Sequence, residues 1–231
     1  MEWMVALRTR VIDDFIRAPV GRGVDTVRNL GARLGTLPYL LDVPETLRWM
    51  EVDFPAVISY KTLRLGGEPP NCDLERIALD LSDVDERERL FGQIGSVAKS
   101  VLVLTEGVVP YLSNEEVASL AASLLERRSF RYWVTDSFST SGLSAARRAR
   151  LHRKLLRNAP FRFSPGDWEK FFLDSGWALR EMRYLVDEGV KIGRIPPSSP
   201  WMKLRYLFAS KRRREEFRRM SGYALLERAS P

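Results

Sequence analysis

Acidic residues recur along the first half of the chain, each at the point where an apolar segment ends. Asp53 closes the segment LRWMEVD, Asp80 follows LERIAL, and Glu106 follows the apolar run VLVLT. A glycine-bearing turn, Gly31–Gly35, follows the earlier segment TVRNL. Carboxylates accept hydrogen bonds from hydroxyl and amino groups and are costly to bury unpaired. These residue types therefore suit a ligand that carries ribose hydroxyls, exocyclic amines and positive charge.

Short apolar or alternating runs predict the strands that would position these residues. The predicted strands lie at Thr26–Leu30, Leu47–Asp53, Leu74–Leu81, Ser100–Thr105, Phe130–Thr135, Trp177–Val186 and Met220–Arg228. The run SVLVLT is typical of a central parallel strand that is covered on both faces.

Helical patterns separate these strands. They cover Ala56–Leu65, Asp83–Phe91, Ser113 to about Arg127, Arg147–Arg157, Ser164–Gly176 with Pro165 at the first helical position, and Lys203–Arg219. Ser113 and Glu116 form an S-x-x-E capping box. Alternating strands and helices predict a doubly wound α/β sheet, in which ligands bind outside the carboxyl ends of the strands. The acidic residues and the glycine turn are therefore expected to meet in one crevice.

The composition is that of one globular domain covering residues 1–231. Of the 231 residues, 45% are hydrophobic and 29% are charged, which argues against a disordered or fibrous chain. Cys72 is the single cysteine and cannot form an internal disulfide, which suits the reducing cytoplasm. No stretch approaches the ~20 apolar residues of a membrane helix, and the N-terminus lacks the pattern of a signal peptide. We therefore expect a cytoplasmic protein without a membrane partner.

The net charge of +7 is concentrated in two basic runs, Arg147–Arg157 and Lys203–Arg219. Both are predicted to be helices whose basic side chains face water. Basic clusters without a nucleic-acid-binding motif are a weak signal, so nucleic acid is the less favoured partner. His152, the single histidine, lies in the first run and is expected to have a surface or packing role. With one histidine and one cysteine, a zinc site of the usual ligand types is not expected.

Four segments occur in a characteristic order and spacing: NLGARLGTLPYLL, RWMEVDFPAVISYK, ALDLSD and LTEGVVPYLSNEEV. With RTRVIDDF before them and SGYALLER after them, the chain resembles the leucine carboxyl methyltransferase-like family. This family includes protein phosphatase carboxyl methyltransferases and bacterial O-methyltransferases associated with polyketide biosynthesis. The resemblance spans Leu7–Arg228 and implies the cofactor S-adenosyl-L-methionine and a small-molecule substrate.

The resemblance also implies a fold. It is the Rossmann-like α/β fold of class I methyltransferases, with a mostly parallel sheet, an antiparallel last strand and helices on both faces. Residues 1–20 would then form a shortened N-terminal helical segment of the single domain. Residues 187–219 would form a loop followed by a basic helix.

Six residues match positions that bind the cofactor in this family: Arg8, Gly31, Asp53, Asp80, Leu81 and Glu106. Arg8 would approach the methionine carboxylate, for which a guanidinium is well shaped, and Glu106 would lie near the methionine amino group. Asp53 would accept the ribose hydroxyls. Asp80 and Leu81 would hold the adenine amine and ring edge, and Gly31 would pack against the cofactor.

Tyr111 is predicted to be the catalytic residue on the substrate side of the pocket, with Asp136 as a second candidate there. Methyl transfer to a carboxylate needs correct positioning and no general base, whereas a phenol or alcohol needs one. Glu51 is predicted to point away from the site. Lys61 matches the family pattern, but the sequence indicates no role for it.

The glycine turn departs from the family's usual pattern, GAGxDTRxxRL. Arg33 replaces the second glycine, Gly35 replaces the aspartate, and Leu37 and Leu40 replace two arginines. A glycine there tolerates a positive φ and lets the backbone approach a ligand. An arginine must either swing out or occupy cofactor space, where Glu106 or the cofactor's carboxylate could pair with it.

Three functions remain open on these observations. The first is an active S-adenosylmethionine-dependent O-methyltransferase that acts on a carboxylate or hydroxyl of a small molecule. The second is a catalytically weakened homologue that serves as a binding or partner protein, which the altered turn favours. The third is a nicotinamide-dependent oxidoreductase, which would need a G-x-G-x-x-G turn that Gly31–Gly35 does not supply.

Overall fold

A computed structural model describes residues 2–95, 98–139, 160–193 and 208–229. Within these ranges the strands form one sheet. They are β1 (Thr26–Leu30), β2 (Arg48–Asp53), β3 (Asp73–Ala78), β4 (Val101–Thr105), β5 (Phe130–Phe138), β6 (Trp177–Tyr184) and β7 (Ser221–Arg228). Their order in the sheet is β3-β2-β1-β4-β5-β7-β6. The first five strands pair in parallel, and β7 runs antiparallel to both of its neighbours. The predicted fold is confirmed.

Helices connect the strands. They are α1 (Glu2–Val20), α2 (Leu37–Leu40), α3 (Pro55–Leu65), α4 (Val84–Gly95), α5 (Asn114–Leu125), α6 (Trp168–Asp174), α7 (Leu185–Lys191) and α8 (Lys211–Arg218). A short 3₁₀ turn, Val109–Tyr111, follows β4. The predicted capping box is confirmed, because Ser113 accepts from the main-chain N–H of Glu116 and the Glu116 side chain accepts from that of Ser113.

Several predicted boundaries are wrong. Strand β5 continues to Phe138 instead of ending at Thr135, and the basic helix begins at Lys211 behind the N-cap Ser210, so residues 208–210 are not helical. Strand β3 ends at Ala78, so Asp80 and Leu81 lie beyond it. Strand β6 ends at Tyr184 and α7 follows at once, so residues 187–191 are helical rather than part of a loop. Helix α6 begins at Trp168 behind the N-cap Asp167, which leaves Pro165 in the preceding loop. The predicted helix Arg147–Arg157 with His152, and residues 194–207, lie outside the described residues.

The core lies on both faces of the sheet, and β4 shows why. Side chains of a strand alternate between the two faces. Val101 and Val103 pack into a cluster with α4, α5 and α6, whereas Leu102 and Leu104 pack into a second cluster with α1. All four side chains are fully buried, as the run VLVLT predicted. Because both faces are covered, the edge formed by the carboxyl ends of the parallel strands is left to carry a site.

A cluster of buried charges lies behind β2. The Lys61 ammonium lies 2.6 Å from Glu51 Oε1, and Arg76 Nε lies 3.2 Å from Glu51 Oε2. Glu51 lies two residues before Asp53 in a regular strand, so the two side chains share a face of the sheet. The prediction that Glu51 points away from the site is therefore wrong, but its carboxylate is occupied by Lys61 and Arg76.

No helix in the described ranges is both long enough and apolar enough to span a bilayer. Nor do three or more histidine, cysteine or acidic side chains in these ranges come together in a way that could hold a metal ion.

Candidate active site

The turn after β1 is held tightly between its two neighbouring strand ends. Gly31 has φ +72°, and its main-chain N–H donates to the Val52 carbonyl over 2.8 Å. A Cβ at Gly31 would lie 2.4 Å from Val108 Cγ2, which is far too close for a real contact. Glycine at this position therefore lets the turn after β1 approach the segment after β4.

Asp53 lies at the end of β2 beside this turn, and its carboxylate is already oriented. Oδ2 accepts from the main-chain N–H of Arg33 over 2.6 Å, and Oδ1 accepts from that of Phe54 over 2.8 Å. The residue is 6% exposed. Each carboxylate oxygen can accept about two hydrogen bonds, so each keeps one position for a ligand. This arrangement suits a pair of neighbouring hydroxyl groups.

Arg33 crosses the crevice from the turn after β1 to the turn after β4. Its backbone has φ 46°, the left-handed region that favours glycine. One of its guanidinium nitrogens donates to the Gly107 carbonyl over 2.8 Å, and Cζ lies 5.6 Å from the centre of the Tyr111 ring. The side chain therefore takes neither the pairing with Glu106 nor the fully outward orientation that the sequence left open.

Arg8 and Glu106, both predicted to bind the methionine part of the cofactor, form an ion pair across the crevice. Arg8 is on α1 and Glu106 directly follows β4, and Arg8 Nε lies 2.9 Å from Glu106 Oε1. Both side chains remain partly exposed, 41% and 23% respectively. A ligand with a carboxylate and an ammonium group could therefore contact both members of this pair.

Asp136 and Tyr223 form a buried pair on the other side of Gly107. They lie directly opposite each other in the pairing of β5 with β7 and are hydrogen-bonded. Asp136 Oδ2 also accepts from the main-chain N–H of Gly107 over 2.6 Å. The pKa of Asp136 is raised to about 7, mainly by burial and in part by the charge of Glu106, while the hydrogen bonds from Gly107 and Tyr223 oppose the rise. Burial also raises the pKa of the Tyr223 phenol well above its ordinary value.

Tyr223 is the site residue that the sequence reasoning missed. It lies in the segment SGYALLER, which was recognised as a family motif without a role for any of its residues. Its position opposite Asp136 depends on the pairing of β5 with β7. Local patterns in the sequence carry no information on that pairing.

Asp80 and Leu81 lie at the outer end of the crevice. They follow Leu79, whose main-chain N–H donates to the Asp53 carbonyl over 2.9 Å. Asp80 is exposed and its Oδ1 accepts from both the main-chain N–H and the hydroxyl of Ser82, while Leu81 packs at the margin of the core. The two residues therefore lie close to Asp53 along the chain path after β3, and their role at the adenine stays a prediction.

Tyr111, the predicted catalytic residue, belongs to an aromatic wall. Its ring centre lies 5.2 Å from that of Phe161, and Phe161 stacks on Phe138 at 5.5 Å. Among the described residues, no hydrogen-bonding partner lies at the Tyr111 hydroxyl. The Tyr111 ring is thus part of an apolar surface in the described part of the chain.

A model of the leucine carboxyl methyltransferase family matches residues 1–125 of the chain. This range contains five of the six segments on which the resemblance rests, and only SGYALLER lies outside it. It also contains all six predicted cofactor-binding residues and Tyr111.

The names of curated relatives agree with this family match. A protein from Mycolicibacterium paratuberculosis named as an S-adenosyl-L-methionine-dependent methyltransferase is 35% identical over 114 residues, which are 48% of this chain and 36% of that protein. One of the same name from Parafrankia is 32% identical over 122 residues, 52% of this chain and 39% of that protein. The matching part of the chain thus spans less than half the length of these relatives.

Solved structures share the fold over nearly the whole chain. A duf574 family protein from Streptomyces avermitilis is similar with a TM-score of 0.61 at 16% identity, covering 98% of this chain and 86% of that one. Magnesium protoporphyrin IX methyltransferase from Synechocystis, solved with SAH bound, has a TM-score of 0.53 at 12% identity, covering 98% and 83%. At such identities the likeness shows a common fold only.

Proposed function

Because this chain belongs to the leucine carboxyl methyltransferase family, we propose that it binds S-adenosyl-L-methionine and transfers the methyl group to a carboxylate or hydroxyl oxygen of a small molecule. The observation that carries the proposal is the convergence of Asp53 with the Arg8–Glu106 pair at one edge of the sheet. The names of the relatives and the fold of the solved structures support it.

The residues of the crevice fit the chemical groups of this cofactor. Asp53 has free acceptor positions for two ribose hydroxyls, and its orientation is fixed by Arg33 and Phe54. Arg8 and Glu106 complement the carboxylate and the ammonium group of the methionine part. Gly31 leaves room where a side chain would collide with Val108. Bound in this crevice, the cofactor supplies a methyl group on a positively charged sulfur.

The substrate side of the crevice has two parts with different roles. Tyr111 and the Phe138–Phe161 stack form an apolar wall that would orient an acceptor. Asp136, with a pKa of about 7, is partly ionised at neutral pH and is the group suited to accept a proton from a hydroxyl acceptor. A carboxylate acceptor needs no proton removed. The proposed catalytic role of Tyr111 is therefore one of orientation.

A catalytically weakened homologue is the second candidate, and Arg33 is the observation that favours it. The guanidinium spans the crevice and contacts Gly107 and Tyr111, where a family member usually has glycine at position 33. Such a protein would bind the cofactor or its product without transferring the methyl group. The two candidates differ in turnover and not in fold.

The test of the proposed reaction is a transfer assay with cofactor labelled in its methyl group. The resemblance to the polyketide-associated branch of the family makes phenols and carboxylic acids the acceptors to try first. Methyl esters release volatile labelled methanol in base, whereas methyl ethers do not, so the assay identifies the acceptor oxygen. Binding of the cofactor without transfer to any acceptor would favour the weakened homologue.

A further inference from the structure

Arg33 places a positive charge in the crevice, on a backbone with φ 46° and with its guanidinium bonded to the Gly107 carbonyl. We propose that this charge determines which form of the cofactor the crevice prefers, and that it favours the neutral thioether S-adenosylhomocysteine over the sulfonium S-adenosylmethionine. The inference rests on the proposed function, because it concerns the same crevice.

The backbone of Arg33 fixes where its side chain begins. Its φ of 46° is uncommon for a residue other than glycine, and the surrounding structure must hold it there. The hydrogen bond from the Arg33 N–H to Asp53 Oδ2 does so at 2.6 Å. The side chain therefore leaves the main chain directly beside the carboxylate proposed to bind ribose.

The Arg33 side chain extends to the proposed substrate side of the crevice. The guanidinium bonds to the Gly107 carbonyl at 2.8 Å and lies 5.6 Å from the Tyr111 ring centre. Gly107 directly follows Glu106, which is proposed to lie near the methionine amino group. Arg33 thus extends from the proposed ribose end to the proposed acceptor end, and under the proposed function the sulfur would lie between these two ends.

In the described part of the chain, the Arg33 guanidinium has no acidic partner. Within the described ranges, no carboxylate forms an ion pair with the Arg33 guanidinium. The nearby acids are otherwise engaged, since Glu106 pairs with Arg8 and Asp53 contacts the main-chain N–H of Arg33. The guanidinium therefore repels a further positive charge brought into the crevice.

The two cofactor forms differ at the sulfur atom alone. S-adenosylmethionine carries a methyl group and a positive charge there, and S-adenosylhomocysteine carries neither. Arg33 is exposed, so water and salt screen the repulsion. Repulsion between the guanidinium and the sulfonium in a partly exposed crevice should raise the Kd of S-adenosylmethionine by about 3- to 10-fold. The chain should therefore bind S-adenosylmethionine more weakly, relative to S-adenosylhomocysteine, than the same crevice would without Arg33.

Calorimetric titration of both ligands into a matched pair of variants tests this inference. Arg33→Gln keeps a donor for the Gly107 carbonyl and removes the charge, whereas Arg33→Lys keeps the charge. We expect the ratio of the S-adenosylmethionine Kd to the S-adenosylhomocysteine Kd to fall about 3- to 10-fold in Arg33→Gln and to change less than about twofold in Arg33→Lys. Added salt should lower the ratio of the parent and leave that of Arg33→Gln unchanged.

Equal ratios in the parent and Arg33→Gln, with both ligands bound, would overturn the inference and leave the proposed function intact. Absence of binding of either ligand to the parent and to every variant would overturn the proposed function and the inference with it. Arg33→Gly is the second variant, because glycine adopts the positive φ without strain. It should show the same fall in the ratio as Arg33→Gln.

Discussion

Lys61 matches the family pattern, and its neighbours explain why a lysine stands there. Its side chain is 1% exposed and its ammonium is 2.6 Å from Glu51 Oε1. Burial lowers the pKa of Lys61, and the charge of Glu51 opposes that shift. Arg76 binds the second oxygen of the same carboxylate. The three residues therefore form a buried cluster that supports β2 directly behind Asp53.

We expect Lys61→Met to lower the free energy of unfolding by about 3 kcal/mol, because the Glu51 carboxylate would stay buried with Arg76 as its remaining partner. Urea denaturation followed by tryptophan fluorescence measures this loss. The double variant Glu51→Gln, Lys61→Met removes the stranded charge and should recover part of it. A loss below about 1 kcal/mol in the single variant would show that the pair does not support the strand.

At the residue scale, the acids of the site could be predicted and the contacts of Arg33 and Tyr223 could not. Asp53 and Glu106 each end an apolar run, so the parallel sheet brings them to one edge. The path of the Arg33 side chain depends on one rotamer and on the Gly107 carbonyl. The partner of Tyr223 depends on a strand that is remote in the sequence.

At the scale of elements, Gly31 allows the turn after β1 to approach the segment after β4 closely. Gly31 and Gly23 form a matched pair, because both have a positive φ. A Cβ at Gly31 would collide with Val108, whereas a Cβ at Gly23 would have no atom within 4 Å. The difference between the two positions therefore isolates the close approach of the two turns from backbone strain.

We expect Gly31→Ala to lower the free energy of unfolding by about 2–4 kcal/mol, as the sum of backbone strain and overpacking. Gly23→Ala should cost only the strain, about 1 kcal/mol. Thermal melting of the two variants beside the parent gives both values. Equal costs at the two positions would mean that the contact between the turns does not constrain the site.

Elements were predictable where the local pattern was strong. The apolar run of β4 and the capping box of α5 are examples, because both depend on neighbouring residues alone. The end of β6 was not, since α7 begins without a side-chain cap at Tyr184. The predicted start of α6 is too early because the pattern put Pro165 at the first helical position, whereas Asp167 is the N-cap and accepts from the Lys170 N–H.

At the scale of the whole molecule, Asp136 links the stability of the fold to pH. Its pKa is raised by burial from 3.8 to about 7. Between these values the folded protein holds a proton that the unfolded chain has released. The free energy of unfolding therefore falls as the pH rises through this range. The groups around Asp136 are Gly107, Glu106 and Tyr223.

We expect the contribution of Asp136 to lower the free energy of unfolding by about 2 kcal/mol between pH 5 and pH 7. Asp136→Asn keeps an acceptor for the Gly107 N–H and cannot titrate, so its stability should fall less over the same range. Chemical denaturation at several pH values measures the two slopes. Parallel curves for the parent and Asp136→Asn would contradict a raised pKa at this position.

The overall architecture followed from the alternation of strands and helices together with the family resemblance. Alternation indicates a doubly wound sheet but does not say where β7 inserts. The observed order places β7 between β5 and β6, which brings the N-terminal end of β7 to the site. This placement is a property of the whole sheet, because the resemblance implied an antiparallel last strand and not its position in the strand order.

We propose that the carboxyl edge of the sheet binds the cofactor through Asp53. Calorimetric titration of S-adenosylhomocysteine into the parent, Asp53→Asn and a control variant tests this binding. The control is Asp42→Asn, which changes an exposed acid at the opposite edge of the sheet. We expect the parent and the control to bind equally and Asp53→Asn to bind about 10- to 100-fold more weakly, because a charged acceptor is lost. Near-ultraviolet circular dichroism confirms that the variants are folded. A parent that does not bind, or Asp53→Asn that binds as tightly as the parent, would contradict the account.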